Sequence, residues 1–410
     1  MKVVIFGAGK VGRGFLADLF SRAKWDITLV EVTPSTLDLL NNEGEWNLIR
    51  LKDEPEIITI NATTIIDGND QKAVDLAIQS ADLLCTAIGG SHLENWAISA
   101  FKPLMQRVER GKIDIIFAEN HAQPAELVRN TLQKQLSQLS DKQAEEKLFA
   151  NLGLAQAQIL RSCIEPSAEQ ITEYGKLTLR VQDHDILPLD ADALTSPELL
   201  KGVPGLRPTH NFSLELTRKV FTYNAINAVV SYLGSIRKYD FLADAANDEE
   251  IALIAKASGL EASNALISSF GFVRDEQIAW AQRALVKYQD RRIVDPIDRQ
   301  CRDPIRKLGV NDRLLGPILL AIKLGLPCAN LAIGMAAALA YEPSEEEKKL
   351  DPTYAALSEM RQGSNSKIVA TLCPNVSDVT KKALENVLAE GQKSLALFRW
   401  VQEAMAGVSS

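Results

Sequence analysis

The chain has 410 residues, too many for one hydrophobic core and suited to two domains. Hydrophobic residues make up 46% and charged residues 24%, the balance of a globular protein with ample apolar material for two cores. A net charge of −8 without basic blocks argues against nucleic acid as a partner, because phosphate neutralisation dominates that binding.

Five scattered cysteines with no C-x-x-C pair argue against a disulfide framework and a structural zinc site. The opening MKVVIFGAG lacks the long apolar region and cleavage site of a signal peptide. No apolar run is long enough to span a bilayer, so no membrane association is expected and the expected location is cytoplasmic. Lys323, Pro327 and Asn330 interrupt the apolar stretch from Ile318 to Ala340, which reads as buried helices.

In chain order, Val3 to Phe6 reads as a short strand, and Val11 to Arg22 has helical periodicity. Asp26 to Val32 reads as a second strand, Ile57 to Ile60 as a third, Asp82 to Ile88 as a fourth and Ile113 to Ala118 as a fifth. Strands alternating with helices imply βαβ units and a parallel sheet. The period-2 alternation of Lys176 to Gln182 suggests an antiparallel extension. From Asp183 to His210, four prolines punctuate a segment with few periodic apolar residues, which reads as the crossing between domains. Beyond Asn211 strand signals nearly vanish. Leu214 to Leu233, Asp248 to Phe270, Asp275 to Lys287, Asp312 to Lys323 and Val379 to Met405 read as helices, and the charge run Glu345 to Lys349 as a solvated helix start. The expectation is an α/β Rossmann domain over residues 1–205, followed by a mostly α-helical domain over 206–410.

The segment GAGKVGRGF carries G-x-G-x-x-G as Gly7, Gly9 and Gly12, between a strand and a helix as the motif requires. Gly7 permits the tight turn, Gly9 lets backbone approach a pyrophosphate, and Gly12 lets helix and strand pack. Ala8, Lys10 and Val11 complete the loop, and the helix N-terminus offers free N–H groups to phosphate. Glu31 ends the second strand at about the ~20-residue offset of an acid that binds ribose hydroxyls. Its charge would repel a 2′-phosphate, and no Arg or Lys follows closely, so NAD is favoured over NADP. The run CTAIGG ends the fourth strand, where the border of a dinucleotide crevice and a plain strand-to-helix turn are equal alternatives. Thr86, Ala87 and Gly89 are its candidate cofactor contacts.

Four segments together, GAGKVGRGF, FAENHAQPA, RKVFTYNAINAVVSYLG and CRDPIRKLGVNDRLLGPILLAIKLGLP, resemble the polyol-specific long-chain dehydrogenases, most of all the mannitol-1-phosphate 5-dehydrogenases. The resemblance covers nearly the whole chain. It implies a Rossmann domain, a helical C-terminal domain, an active site between them, no catalytic metal, and a chain able to act as a monomer or small homo-oligomer. It also implies a catalytic Lys, an Asn five positions on and a His three positions after that. Lys219 and Asn224 match, but Asn227 stands in place of the His. The family's Asn after a Glu at the end of the fifth strand is matched by Glu119 and Asn120. Its Asp-Arg pair before a proline is replaced by Ser162 and Cys163 before Pro166. None of the four histidines aligns with the family His. His121, next to Asn120, is either a spatial substitute or an ordinary loop residue.

Oxidising a secondary alcohol with NAD needs a base for the hydroxyl proton and donors for the developing alkoxide. A lysine serves as the base when burial or like charge lowers its pKa, and neutral amides serve as donors. Lys219 with Asn120 and Asn224 supplies that set. On an ideal helix Lys219, Asn227 and Asn224 fall at about 0°, 80° and 140° around the axis, one broad face. Asn227 keeps a donor and an acceptor but cannot titrate. An anionic substrate group would need cations. Arg306 and Arg313, in a cluster with Arg302 and Lys307, suit phosphate or carboxylate, with Arg13 beyond the glycine loop a further candidate. The alternative for that cluster is a salt-bridged helix with Asp303 and Asp312. The expected function is an NAD-dependent interconversion of mannitol 1-phosphate and fructose 6-phosphate. A sugar-acid oxidoreductase of the altronate or mannonate type and a non-catalytic NAD-binding protein are the competing readings.

Overall fold

The computed structural model describes residues 1–408 apart from 122, 140, 351 and 352. The chain forms two compact units, Met1–Phe212 and Ser213–Ser410.

Among its described residues the first unit has twelve strands: β1 Lys2–Phe6, β2 Asp26–Glu31, β3 Glu45–Leu51, β4 Glu56–Asn61, β5 Thr64–Asp67, β6 Leu83–Thr86, β7 Ile113–Phe117, β8 Leu152–Gln156, β9 Cys163–Ile164, β10 Leu179–Gln182, β11 Leu187–Asp190 and β12 Leu206–Thr209. Six of them make an all-parallel sheet in the order β5-β2-β1-β6-β7-β8. Counting along that sheet, this is the doubly wound order 3-2-1-4-5-6, which reverses direction between β1 and β6. Alternate side chains of β1 serve opposite faces. Val3 and Ile5 join one apolar cluster with Phe15, Leu16 and Leu179, while Val4 and Phe6 join another with Leu84, Trp96 and Phe117. A parallel sheet needs both faces covered, so its strands read as continuous apolar runs rather than as alternation.

Three expectations for this unit are corrected. The strand at Ile57 to Ile60 exists as β4, but it forms an antiparallel hairpin with β3 in a second sheet, ordered β4-β3-β10-β9. The parallel sheet's strand beside β2 is β5 instead. The extension at Lys176 to Gln182, as β10, belongs to that second sheet, parallel to β3 and antiparallel only to β9. The proline-marked segment from Asp183 is no bare crossing. β11 and β12 pair in parallel, and Leu187, Leu189, Leu200 and Val203 enter the core of the first unit.

A buried carboxylate fixes that last segment. Asp114 of β7, 1% exposed, accepts Thr195 N at 2.7 Å and Thr195 Oγ1 at 2.8 Å on one oxygen, and Ser196 N at 3.0 Å on the other.

The second unit is helical among its described residues, with no strand. Helix Ala225–Ile236 is its axis, buried from Ala225 to Gly234. Helix Glu249–Phe270 starts at Asp248, whose carboxylate accepts Ile251 N at 3.0 Å as an N-cap, and ends at Gly271 in the left-handed conformation. The expected buried helices at Ile318 to Ala340 are Leu315–Leu324 and Ala329–Leu339. The charge run does start a helix, Glu345–Leu350, but Glu347 is buried rather than solvated. It accepts Tyr341 Oη at 3.1 Å and Ser344 N at 2.9 Å. Among the described residues no helix is long and apolar enough to cross a membrane.

Replacing Asp114 with Ala strands a buried and a half-buried N–H donor and a hydroxyl, so Asp114→Ala is expected to cost about 2–4 kcal/mol. Urea unfolding would read this, together with faster proteolysis between residues 183 and 210. An unchanged midpoint and cleavage rate would show the tether to be idle.

Candidate active site

The glycine loop follows β1 and opens the first helix of the nucleotide-type unit. Gly7 has φ +91°, a conformation that a side chain disfavours, and donates its N–H to Val30 O at 2.8 Å. A Cβ on Gly12 would lie 1.9 Å from Gly7 O, so only glycine permits this approach of helix to loop. At Gly9 a Cβ would meet nothing within 4 Å, leaving open the place where a pyrophosphate would come closest to backbone. Lys10 is exposed and pairs with Glu165 at 3.1 Å. Ala8 is buried and Val11 half-buried.

Glu31, 8% exposed at the end of β2, holds the loop directly. One carboxylate oxygen accepts Ala8 N at 3.0 Å, and the other accepts Val32 N and Thr33 N at 2.8 Å each. Each oxygen has two lone-pair sites, so capacity for a ribose hydroxyl remains. Arg13 does not reach into open space. Its Nε donates to Ala8 O at 2.5 Å and its guanidinium also to Leu177 O, tying the loop to the second sheet. Burial lowers its pKa from the ordinary arginine value.

The end of β6 lies beside this loop, across the point where strand order reverses. A Cβ on Gly7 would fall 2.4 Å from Ala87 O. Thr86 is buried, Ala87 half-buried and Gly89 exposed with φ +89°. The CTAIGG turn is latched by Glu119, whose only signal in the sequence is its place before Asn120. Its two oxygens accept Ile88 N and Gly89 N, each at 2.9 Å. Asn120 follows directly and is exposed. His121 is exposed too and crowds Gly90, where a Cβ would lie 2.6 Å from its Cδ2.

In the second unit Lys219 ends helix Phe212–Lys219, and helix Ala225–Ile236 continues after a π-turn over Val220–Asn224. The angles of an ideal helix therefore do not hold between Lys219 and Asn224. An i→i+5 turn advances each residue by less than the 100° of an α-helix, which swings the later residues around relative to Lys219. Asn224 is half-buried. Asn227 is buried, and its carbonyl accepts Ser231 Oγ at 2.7 Å. Burial pushes the Lys219 ammonium down to about 8, helped by the charges of Lys287 and Arg313.

The arginine cluster divides. Arg306 is exposed and pairs with Asp303 and Asp312, each at 3.3 Å, which is the salt-bridged alternative. Arg313 is partly buried, with Nε 2.7 Å from Asp312 Oδ1, and lies within electrostatic reach of both Lys219 and Lys307. Lys307 is 4% exposed. Its Nζ donates to Gln300 O and sits 5.5 Å from the Tyr232 ring centroid, and burial with Arg313 pushes its pKa down to about 7. Lys307 was legible in the sequence as a member of the basic cluster, whereas Lys287 carries no such signal, because only folding brings it near Lys219. Among the described residues no three His, Cys, Asp or Glu side chains are grouped to hold a metal.

Residues 1–152 match the family described as the mannitol dehydrogenase Rossmann domain, and residues 215–395 match the mannitol dehydrogenase C-terminal domain. With a doubly wound unit followed by a helical one, the chain belongs to the mannitol dehydrogenase family. Its fold is similar to that of a D-sorbitol dehydrogenase in substrate-free form, with TM-score 0.77 and 16% identity over 95% of this chain and 92% of that one. It is also similar to the Pseudomonas fluorescens mannitol 2-dehydrogenase in ternary complex with NAD and D-mannitol, with TM-score 0.71 and 15% identity over 99% and 94%.

The two loop glycines should respond differently to a methyl group. Gly12→Ala forces a clash with backbone and is expected to lower stability by about 1–3 kcal/mol, whereas Gly9→Ala should leave the melting temperature nearly unchanged. Equal melting temperatures for the two variants would contradict the packing described here.

Proposed function

We propose that this chain is an NAD-dependent oxidoreductase that interconverts a polyol phosphate and a ketose phosphate, mannitol 1-phosphate and fructose 6-phosphate. The observation that carries this reading is the Lys219 amine, held at about 8 by burial and by two neighbouring cations, with Asn224 one π-turn away. A lysine of that kind is a competent base near neutral pH.

NAD fits the residues present. Gly7, Ala8, Gly9, Lys10, Val11 and Gly12 would border its pyrophosphate, and Glu31 its ribose. Thr86, Ala87 and Gly89 would border the crevice. Bound there, the cofactor supplies a hydride acceptor for the carbinol carbon. In this reading the neutral Lys219 amine takes the hydroxyl proton as the alcohol becomes a ketone, and returns it in the reverse direction. Asn224 donates an amide N–H to the developing alkoxide. The sequence resemblance adds Asn120 to the donors and Asn227 as the stand-in for the missing His.

An anionic substrate group is supported by Arg313 and Lys307. Lys307 has no carboxylate within ion-pairing distance among the described residues. Arg306, engaged by two aspartates, would have to exchange partners to take part. A sugar acid would satisfy the same cations and is the second reading. The cytoplasmic setting expected from the sequence goes with either.

The test is NADH consumption with ketose phosphates, free ketoses and keto sugar acids, beside a Lys219→Ala control. Turnover of fructose 6-phosphate that falls by about 10²–10⁴-fold in the control is the expected result. Polyol oxidation needs the free amine. Its kcat/KM should therefore rise about tenfold per pH unit below about 8 and level off above it, while ketone reduction needs the ammonium and should fall above that pH. Turnover with keto acids alone would transfer the mechanism to the second reading. Tight NADH binding with no turnover on the whole panel would favour the non-catalytic reading.

A further inference from the structure

Side chains of a neighbouring helix, Arg274–Tyr288, hydrogen-bond to the π-turn between Lys219 and Asn224 from outside. Gln277, Trp280 and Tyr288 lie on one face of that helix, at spacings that align along an α-helix. Each of them reaches a residue in or beside the turn. Gln277 Oε1 accepts Arg218 Nε at 2.7 Å, and the Arg218 guanidinium stacks 4.7 Å from the Trp280 ring centroid. Trp280 Nε1 donates to Thr222 Oγ1 at 3.0 Å, and Tyr288 Oη donates to Tyr223 O at 3.0 Å. Thr222 Oγ1 in turn donates to Arg218 O at 2.5 Å.

Thr222 is fully buried and Trp280 9% exposed, so neither partner has water as a substitute. A helix that takes in an extra residue disturbs its own i→i+4 ladder, and the displaced backbone groups need partners from elsewhere. Here the threonine hydroxyl spends its proton on a carbonyl at the entry to the turn and a lone pair on the indole. Phe221, within the turn, packs where a Cβ on Gly316 would fall 2.5 Å from its Cε1, so that side is fixed as well.

We propose that Thr222 and Trp280 are positioning residues: the indole's hydrogen bond to the Thr222 hydroxyl, and that hydroxyl's bond to Arg218 O, hold the π-turn and so set where the Lys219 amine lies relative to Asn224 and its surrounding cations. The inference rests on the reading of Lys219 as the base, but its test does not depend on turnover. Two variants remove the bond with little change of shape, Thr222→Val on one side and Trp280→Phe on the other. Thr222→Ser restores the hydroxyl.

The readout is competitive acetylation of Lys219 by acetic anhydride across pH 6–11, quantified by peptide mass spectrometry against the chain's other lysines, with kcat and KM for NADH alongside. Among the described residues, Lys287, on the clamping helix, and Arg313 are charged groups that face Lys219. A turn released from the clamp lets water reach the amine. Both variants are therefore expected to move its titration upward and to lower its relative reactivity at pH 8 roughly tenfold, with Thr222→Ser close to the parent chain. Where the parent enzyme turns over, kcat should fall by a similar factor with KM for NADH unchanged. If Thr222→Val does not fold, Trp280→Phe carries the same test. A Lys219 titration that is unmoved in the folded variants overturns the proposal, whether or not the enzyme is active. A moved titration in a chain with no turnover upholds the clamp and counts against the proposed reaction.

Discussion

The first unit depends on buried carboxylates that bind backbone N–H groups at the ends of strands of its parallel sheet. Glu31 gathers Ala8, Val32 and Thr33, Glu119 gathers Ile88 and Gly89, and Asp114 gathers Thr195 and Ser196. A charged acceptor makes a stronger bond than a neutral one, and burial protects it from competition by water. Two of these three carboxylates shape the loops on either side of the point where strand order reverses. The geometry that would receive a dinucleotide is thus imposed by strand ends as well as by the glycines of the loops.

In the second unit the governing constraint has the opposite sign. Cations, not carboxylates, are brought together, Lys307 buried and Lys219, Lys287 and Arg313 half-buried. Lys219 is lowered first by burial and then by Lys287 and Arg313. Lys307 is lowered by burial and by Arg313. Asp312, through Arg313 and Arg306, and Asp303, through Arg306, are acids that moderate the group. Such a cluster stores unfavourable electrostatic energy in the free protein, and an anion or a lost proton relieves it. Under the proposed function, proton uptake by Lys219 and recognition of a charged substrate would be properties of one electrostatic environment. Helix Arg274–Tyr288 contributes to it twice, through Lys287 and through the contacts that hold the π-turn.

What could be read from the sequence was what is local. The glycine loop, its strand and helix and the acid at the end of β2 lie within a short stretch, and each has a steric or electrostatic reason that does not depend on distant residues. The helical second half was legible from periodicity and caps such as Asp248. Other features needed the fold. Period-2 alternation identified β4 as a strand but could not say which sheet would take it. β3 was missed because EWNLIRL carries an arginine and a glutamate. Arg50 is nonetheless buried, 3.3 Å from the fully buried Asp18, which Arg161 also binds at 2.6 Å. Glu347 looked solvated for the same reason, since a charge run does not reveal which of its members finds a buried hydroxyl. The π-turn left no trace, because an ordinary helical pattern runs through residues 214–233 and the side chains that hold the turn lie far along the chain.

The three bonds at Glu31 also bear on how readily this scaffold could change its nucleotide. Replacing an acid at this position by a small neutral residue is the simplest way to admit a 2′-phosphate, since it removes the repelling charge. Here the same change would also orphan the amides of Ala8, Val32 and Thr33. Each would cost about 1–3 kcal/mol wherever water failed to replace the lost acceptor. A lineage moving from one cofactor to the other would first need a new acceptor for the loop, such as a serine or threonine hydroxyl able to serve part of the set. Under the proposed NAD reading, cofactor preference in this chain is bound up with the folding of the loop itself, and a single substitution would trade selectivity against the integrity of the binding turn.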